Sequence, residues 1–360
     1  MTKQLQIVMV FIIVYLSFGY LLYPDLIYTL TDTTHWLVVL CQSLLHVALV
    51  CLYIQGLKYF PNSTVTDIYL KMGKWAAIVV LLPFVVNLIG LMTFSLRMHT
   101  EAIRAIFLPR TPYWAILLLL MSIALYVALK GFSAILRSAI FILFIILFIS
   151  LMNTLSSFIN YDVYNIAQDK DFSLAFLSDK RFLYLLGFSS FLFLGFISRN
   201  TALTSKPFII ASIATTIISL SFVYAPLFIF GQETVVTMTN PLLEARDSVN
   251  LGWFVFNRQT MLFGIALIGL VIIANAVMLS MMGQILHNLL LKQRIKASYW
   301  MTIIMTISFI IAFWIPNQAM AKKYFMWSTG AQATFMIIIP FTIFIYGFFT
   351  RKGVVKNAKS

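Results

Sequence analysis

The sequence predicts an all-α integral membrane protein of ten transmembrane helices, arranged as a five-plus-five inverted repeat with helices 1 and 6 broken. Three observations carry that expectation. Of 360 residues, 61% are hydrophobic and only 10% charged, with a mean hydropathy of +0.96. A soluble domain usually carries about 25% charge, so a solvated surface cannot be drawn from this chain. Apolar runs of bilayer-crossing length recur along it with no long polar segment between them. Threading those runs alternately sorts Lys and Arg to one side. The 33 Phe, 16 Tyr and 7 Trp exclude intrinsic disorder.

The spans fall at 5–30, 36–57, 75–97, 113–130, 136–159, 182–200, 207–230, 258–286, 297–316 and 326–350. Span 1 is too long and too poor in charge for a signal peptide, and no small-residue cleavage site follows it. Span 2 holds the two cysteines, Cys41 and Cys51. Ten residues of helix separate them by roughly 15 Å, too far for a disulfide. Phe60-Pro61 ends span 2, and Asn62, Ser63 or Thr64 can cap a short helix near 64–73. Val65, Ile68, Tyr69 and Met72 share one face of that helix, which places it in the inner interface. Pro109-Arg110-Thr111-Pro112 forms a rigid outer turn, and Tyr113 and Trp114 anchor span 4 at headgroup level. The remaining spans follow with short loops, so residues 1–360 form one domain, with repeat 1 over about 5–159 and repeat 2 over about 182–350.

With the N-terminus placed inside, fifteen of the 25 Lys and Arg residues and only Asp67 of the 11 acids fall on the inner face. The net charge of +14 therefore belongs to that face, and the outer face is neutral. Both termini are expected to be cytoplasmic. The basic charge reads as a topology signal with attraction to anionic lipid, not as a nucleic-acid footprint.

An odd number of spans per half inverts the second half and makes spans 1 and 6 counterparts. Both carry interruptions. Span 1 reads Val14-Tyr15-Leu16-Ser17-Phe18-Gly19-Tyr20 and then Pro24; span 6 reads Leu186-Gly187-Phe188-Ser189-Ser190 and then Gly195. Gly costs about 1 kcal/mol in a helix interior and Pro about 3. Paired interruptions in corresponding spans point to a binding site at the bilayer midplane, although Gly and Pro also serve helix packing. The ligand-binding candidates are Ser17, Phe18, Gly19 and Tyr20 in span 1, Asn87 in span 3, and Gly187, Phe188, Ser189, Ser190 and Phe191 in span 6. Backbone groups freed at such breaks suit a small zwitterion without any charged side chain.

Catalytic and metal chemistry are not expected. There are four His, and no HExxH, CxxC or phosphate-loop element is present. His99 and Glu101, near the outer end of span 3, are too few ligands for a closed metal site. His46, mid-span beside Gln42 and Ser43, reads as a packing histidine before a functional one. Past Asp25, in the outer half of span 1, no Asp or Glu falls at a span midpoint. That favours a binder or facilitator over a proton-driven pump.

Several pieces in order resemble one family. They are Phe18-Gly19 with Pro24, Trp36, Tyr59-Phe60-Pro61-Asn62-Ser63-Thr64, Met72-Gly73-Lys74-Trp75, Phe107-Leu108-Pro109-Arg110-Thr111-Pro112, and Tyr126 with Lys130-Gly131 leading to Arg137. With them the chain resembles the spore germination permeases, the membrane B subunits of nutrient germinant receptors, within the amino acid–polyamine–organocation superfamily. It departs where Phe256-Asn257-Arg258-Gln259-Thr260 keeps an Arg and lacks the family's Asp, and where Ser189 and Ser190 replace an acidic residue. The resemblance implies a nutrient-sensing subunit of the spore inner membrane working with A-type and lipoprotein C-type subunits. Its rival is an amino-acid permease of the same superfamily. Arg258, at the outer start of span 8, is expected to be structural or gating.

Overall fold

The computed structural model describes residues 3–166, 173–197, 203–249, 259–290 and 295–357. Its helices are α1 (Lys3–Tyr28), α2 (His35–Lys58), α3 (Val65–Met72), α4 (Lys74–Phe107), α5 (Tyr113–Leu129), α6 (Phe132–Ser157), α7 (Lys180–Gly187), α8 (Ser205–Phe230), α9 (Gln232–Val235), α10 (Pro241–Asp247), α11 (Gln259–Leu289), α12 (Ala297–Trp314) and α13 (Gln318–Asn357). Short 3₁₀ turns lie between α6 and α7 and again at Leu192–Phe196. Eight of these helices are long and apolar enough to cross a membrane, and α5 is a shorter apolar helix of 17 residues. The expected sixth span is not one helix: it divides into α7, a break, and the turn at Leu192–Phe196.

Helix α1 is apolar all round, and nearly every residue from Ile7 to Tyr28 is buried. Such a helix belongs in the middle of a bundle. It packs on α6, α8, α10 and α11. Helix α11 is the second central helix, shared among α1, α4, α5, α6 and α12. Leu44, Val86, Phe141 and Phe144 point outward on other helices. A surface this apolar suits lipid and not water.

Two expectations about helix ends need correction. Span 1 is not broken: α1 runs unbroken through Gly19 and Pro24 to Tyr28. The price of Gly alone, about 1 kcal/mol, does not interrupt a helix enclosed on every side, and Pro24, buried in its last two turns, removes one hydrogen bond without ending it. Span 3 is longer than 75–97, because α4 continues to Phe107. Two of its charges share one counter-charge along the helix: Arg97 pairs with Glu101, and Arg104 lies 3.5 Å from the same carboxylate. The Arg97 guanidinium also sits 4.2 Å from the Tyr113 ring centre. His99 is therefore not at an outer rim. It is buried against the middle of α1, with Nε2 3.2 Å from the Ser17 carbonyl.

The short helix expected near 64–73 is α3. Thr64 caps it in a reciprocal box with Asp67: the Asp67 N–H donates to Thr64 Oγ1 at 3.3 Å and the Thr64 N–H donates to Asp67 Oδ2 at 2.9 Å. Val65, Ile68 and Tyr69 are buried as expected, and Met72 partly so. They do not lie on lipid alone. Helix α3 packs on α4, α11 and the Leu192–Phe196 turn, so it closes the end of the bundle next to that turn.

Candidate functional site

The break after α7 is built from local hydrogen bonds. Gly187 ends the helix, and the Phe188 and Ser189 N–H groups fall back three residues, to Leu185 and Leu186 carbonyls at 3.3 and 3.1 Å. Side-chain hydroxyls supply further donors to carbonyls around the break, where lipid offers none. Ser189 Oγ donates to Leu186 O at 3.0 Å, and the Tyr53 hydroxyl donates to Leu192 O at 2.9 Å.

Two amide side chains hold the serines of this break from opposite sides. Gln42 on α2 donates from Nε2 to Ser189 Oγ at 3.4 Å. Gln332 on α13 donates from Nε2 to Ser190 Oγ at 3.1 Å, and its Oε1 accepts from Asn87 Nδ2 of α4 at 2.9 Å. Asn87 therefore reaches the break through Gln332.

On α1, Tyr15, Gly19 and Tyr23 recur every four residues and share one face. Both tyrosine hydroxyls donate to Gln42 Oε1, Tyr15 at 3.3 Å and Tyr23 at 2.9 Å. Gly19 lies between them, buried, and a methyl group placed on it would meet only the Tyr23 Cβ, at 3.9 Å. A buried glycine with open space beside it is rare in a close-packed interior. The space is bounded by two phenols and an amide that is itself bonded to Ser189.

Aromatic rings enclose the site. Phe188 lies edge-on to Phe325 at 5.5 Å and to Tyr23 at 6.2 Å, and Phe18 meets Phe325 at 5.9 Å. Three rings pack on the His46 imidazole: Phe191 at 5.4 Å, Tyr15 at 5.2 Å and Phe11, stacked, at 5.6 Å. His46 is thus clamped as a packing residue.

Three sequence candidates have other places. Tyr20 is turned one residue, about 100°, away from Gly19 and packs on Phe263 and Phe222 at 4.6 and 4.7 Å. Ser17 faces α4 through its carbonyl, and its buried Oγ has no partner among the described residues. Gly187 does not border open space: a side chain there would collide with the Thr329 backbone of α13, so this glycine serves close helix packing. Gln42, Gln332, Tyr15 and Tyr23 were not among the candidates. Their only sequence signal is a polar group in an apolar run, which does not reveal the face it occupies. Asp25 is drawn out of the site by Lys322 of α13, whose Nζ lies 2.6 Å from Oδ2. Arg258 lies outside the described residues.

An all-helical, multi-pass bundle with an interrupted helix facing polar groups in its middle defines a permease-type membrane protein, and its fold is that of a solved transporter. The structure of Mhp1, a nucleobase-cation-symport-1 family transporter in a closed conformation with bromovinylhydantoin bound, superposes with a TM-score of 0.58 at 10% identity, covering 88% of this chain and 74% of that one. The sequence matches the family described as Spore germination protein over residues 2–321, and the chain belongs to that family. Among curated proteins, none matches.

Proposed function

We propose that this protein is the integral-membrane subunit of a spore nutrient germinant receptor. It binds a small nutrient, an amino acid in class, in the space over Gly19 and beside Ser189. The observation that supports this reading most is the uncharged polar wall there: Tyr15, Tyr23, Gln42 and Ser189, joined in one hydrogen-bonded chain next to a buried glycine with free space. Phenol and amide groups both donate and accept, so they can meet the ammonium and the carboxylate of a zwitterion without a counter-charge. Phe18, Phe188 and Phe325 supply the apolar cover for its side chain. Binding acts by favouring one of two arrangements of the broken span, and only a difference in affinity between them can drive the response. Family membership supports A-type and lipoprotein C-type partners in the spore inner membrane, with both termini cytoplasmic and the two halves related as inverted repeats.

The test is the nutrient dose-response of spores carrying Ser189→Ala at matched receptor abundance. Losing one hydrogen bond of about 1 kcal/mol moves the half-maximal concentration several-fold without abolishing germination. An unchanged dose-response removes Ser189 from the site. Amino-acid flux in proteoliposomes of the purified chain would instead favour a permease of the same superfamily.

A further inference from the structure

A second constellation meets α1 about 100° round the helix from Gly19 and is independent of the Gly19 reading. Arg246, on the short helix α10, is 1% exposed. Helix α10 packs against α1, α6, α8 and α11, so its guanidinium is enclosed by four long helices. Nη1 donates to the Asn153 carbonyl of α6 at 2.6 Å and to Ser157 Oγ, while Nε has no partner. No carboxylate lies within ion-pair distance of it among the described residues. Its helix neighbours do not serve: Glu244 and Asp247 are exposed, and Asp247 accepts from Thr260 at 3.0 Å.

Around that cation sits a set of polar groups with nothing to bind. Asn153 is 1% exposed, and neither its Nδ2 nor its Oδ1 has a partner; Ser150 Oγ on the same face is likewise unpaired. Tyr20, buried on α1, lies beside Ser150 and Asn153. Gln259 does not fill the gap, since its amide is committed to Asn153 O, Ser156 and Ser157. Burying an unpaired charge costs several kcal/mol, and each buried polar group left unbonded adds to that. The available atoms are mostly donors: Nε of Arg246, Nδ2 of Asn153 and Oγ of Ser150. A guanidinium edge with nearby N–H and O–H donors matches a planar carboxylate.

We infer that Arg246, Asn153, Ser150 and Tyr20 form a binding site for the carboxylate of a small organic anion, separate from the space over Gly19. The occupied site ties α10 to α6 and to the middle of α1. Because Tyr20 follows Gly19 and is turned about 100° from it, the two sites share one turn of α1.

The experiment is thermal unfolding of the full chain in detergent at fixed ionic strength, titrated with sodium acetate or propionate against sodium chloride. A ligand that binds only the folded state raises the midpoint saturably, by a few degrees at high occupancy. The expected result is such a rise with the carboxylates and none with chloride, lost in Arg246→Gln. Arg246→Gln can also lose folding, so Asn153→Asp is the second variant: it supplies a carboxylate beside the guanidinium. That protein is expected to start with a raised midpoint and to ignore added acetate. Equal response to chloride, no response to any anion, or an undiminished acetate response in Asn153→Asp each overturns the assignment.

Discussion

Gly19 and Gly187 are both buried glycines in membrane helices, yet they do opposite things. Gly19 has free space beside it, whereas Gly187 is pressed on the Thr329 backbone. Gly19→Ala is expected to be silent, because the added methyl meets nothing closer than the Tyr23 Cβ at 3.9 Å. Gly19→Leu fills the space and should raise the nutrient concentration for half-maximal germination at least tenfold at normal receptor abundance. Gly187→Ala should fail earlier, since its methyl would overlap main-chain atoms that cannot step aside, and the protein should be depleted on an immunoblot of spore membranes. A normal dose-response in an abundant Gly19→Leu protein would move the site elsewhere. The sequence marked both residues but could not separate them, because an α-helix interior shows no difference between a glycine facing space and one facing a neighbour. Gln42 and Gln332 escaped for a related reason. Their meaning lies in which serine each reaches across the bundle, and that is fixed by tertiary packing.

At the level of elements, the interruption at Gly187–Ser190 was legible because a Gly followed by two serines offers the backbone alternative hydrogen bonds. The supposed break in span 1 was not a break, because the burial of α1 outweighs the local cost of Gly19 and Pro24. The cap of α3 was legible to within two residues: Thr64, with Asp67, takes the role, while Asn62 adopts a positive φ of 67° in the preceding turn. Replacing Thr64 with Ala should cost about 1 kcal/mol, read as a lowered unfolding midpoint in detergent. The pairing of α1 with α13 through Asp25 and Lys322 makes a sharper forecast. Asp25 is 8% exposed and Lys322 35%. Lys322→Met strands a buried carboxylate, a loss of order 3–5 kcal/mol, whereas Asp25→Asn leaves an ammonium that can turn to water. The midpoint should fall further for Lys322→Met than for Asp25→Asn, and the double variant should recover part of the loss. Equal shifts would mean that the pair is solvated and contributes little.

For the whole molecule, composition alone specified the solvent. A chain with this hydropathy has no route to burying its apolar surface except lipid. Charge placement then specifies a direction of threading, which the helix packing does not depend on. Reporter fusions after Lys130 and after Ser360 should both give a cytoplasmic signal, because threading ten spans with the N-terminus inside puts the excess of Lys and Arg in the inner loops. A signal from the other side at either point would break the even span count and with it the inverted relation of the halves. The fold likeness to a symporter at 10% identity shows how little of this architecture is held by particular residues.

The contact of Gly187 with Thr329 also has a mechanical meaning. Helix α7 lies along α13, with Gly187 against the Thr329 main chain and the Tyr184 ring against Gly330, so the two helices are keyed together at two places. Keyed rods move as one piece. A shift of that piece would strain the Ser189–Gln42 bond, which crosses to α2, and spare the Ser190–Gln332 bond, which lies within the pair.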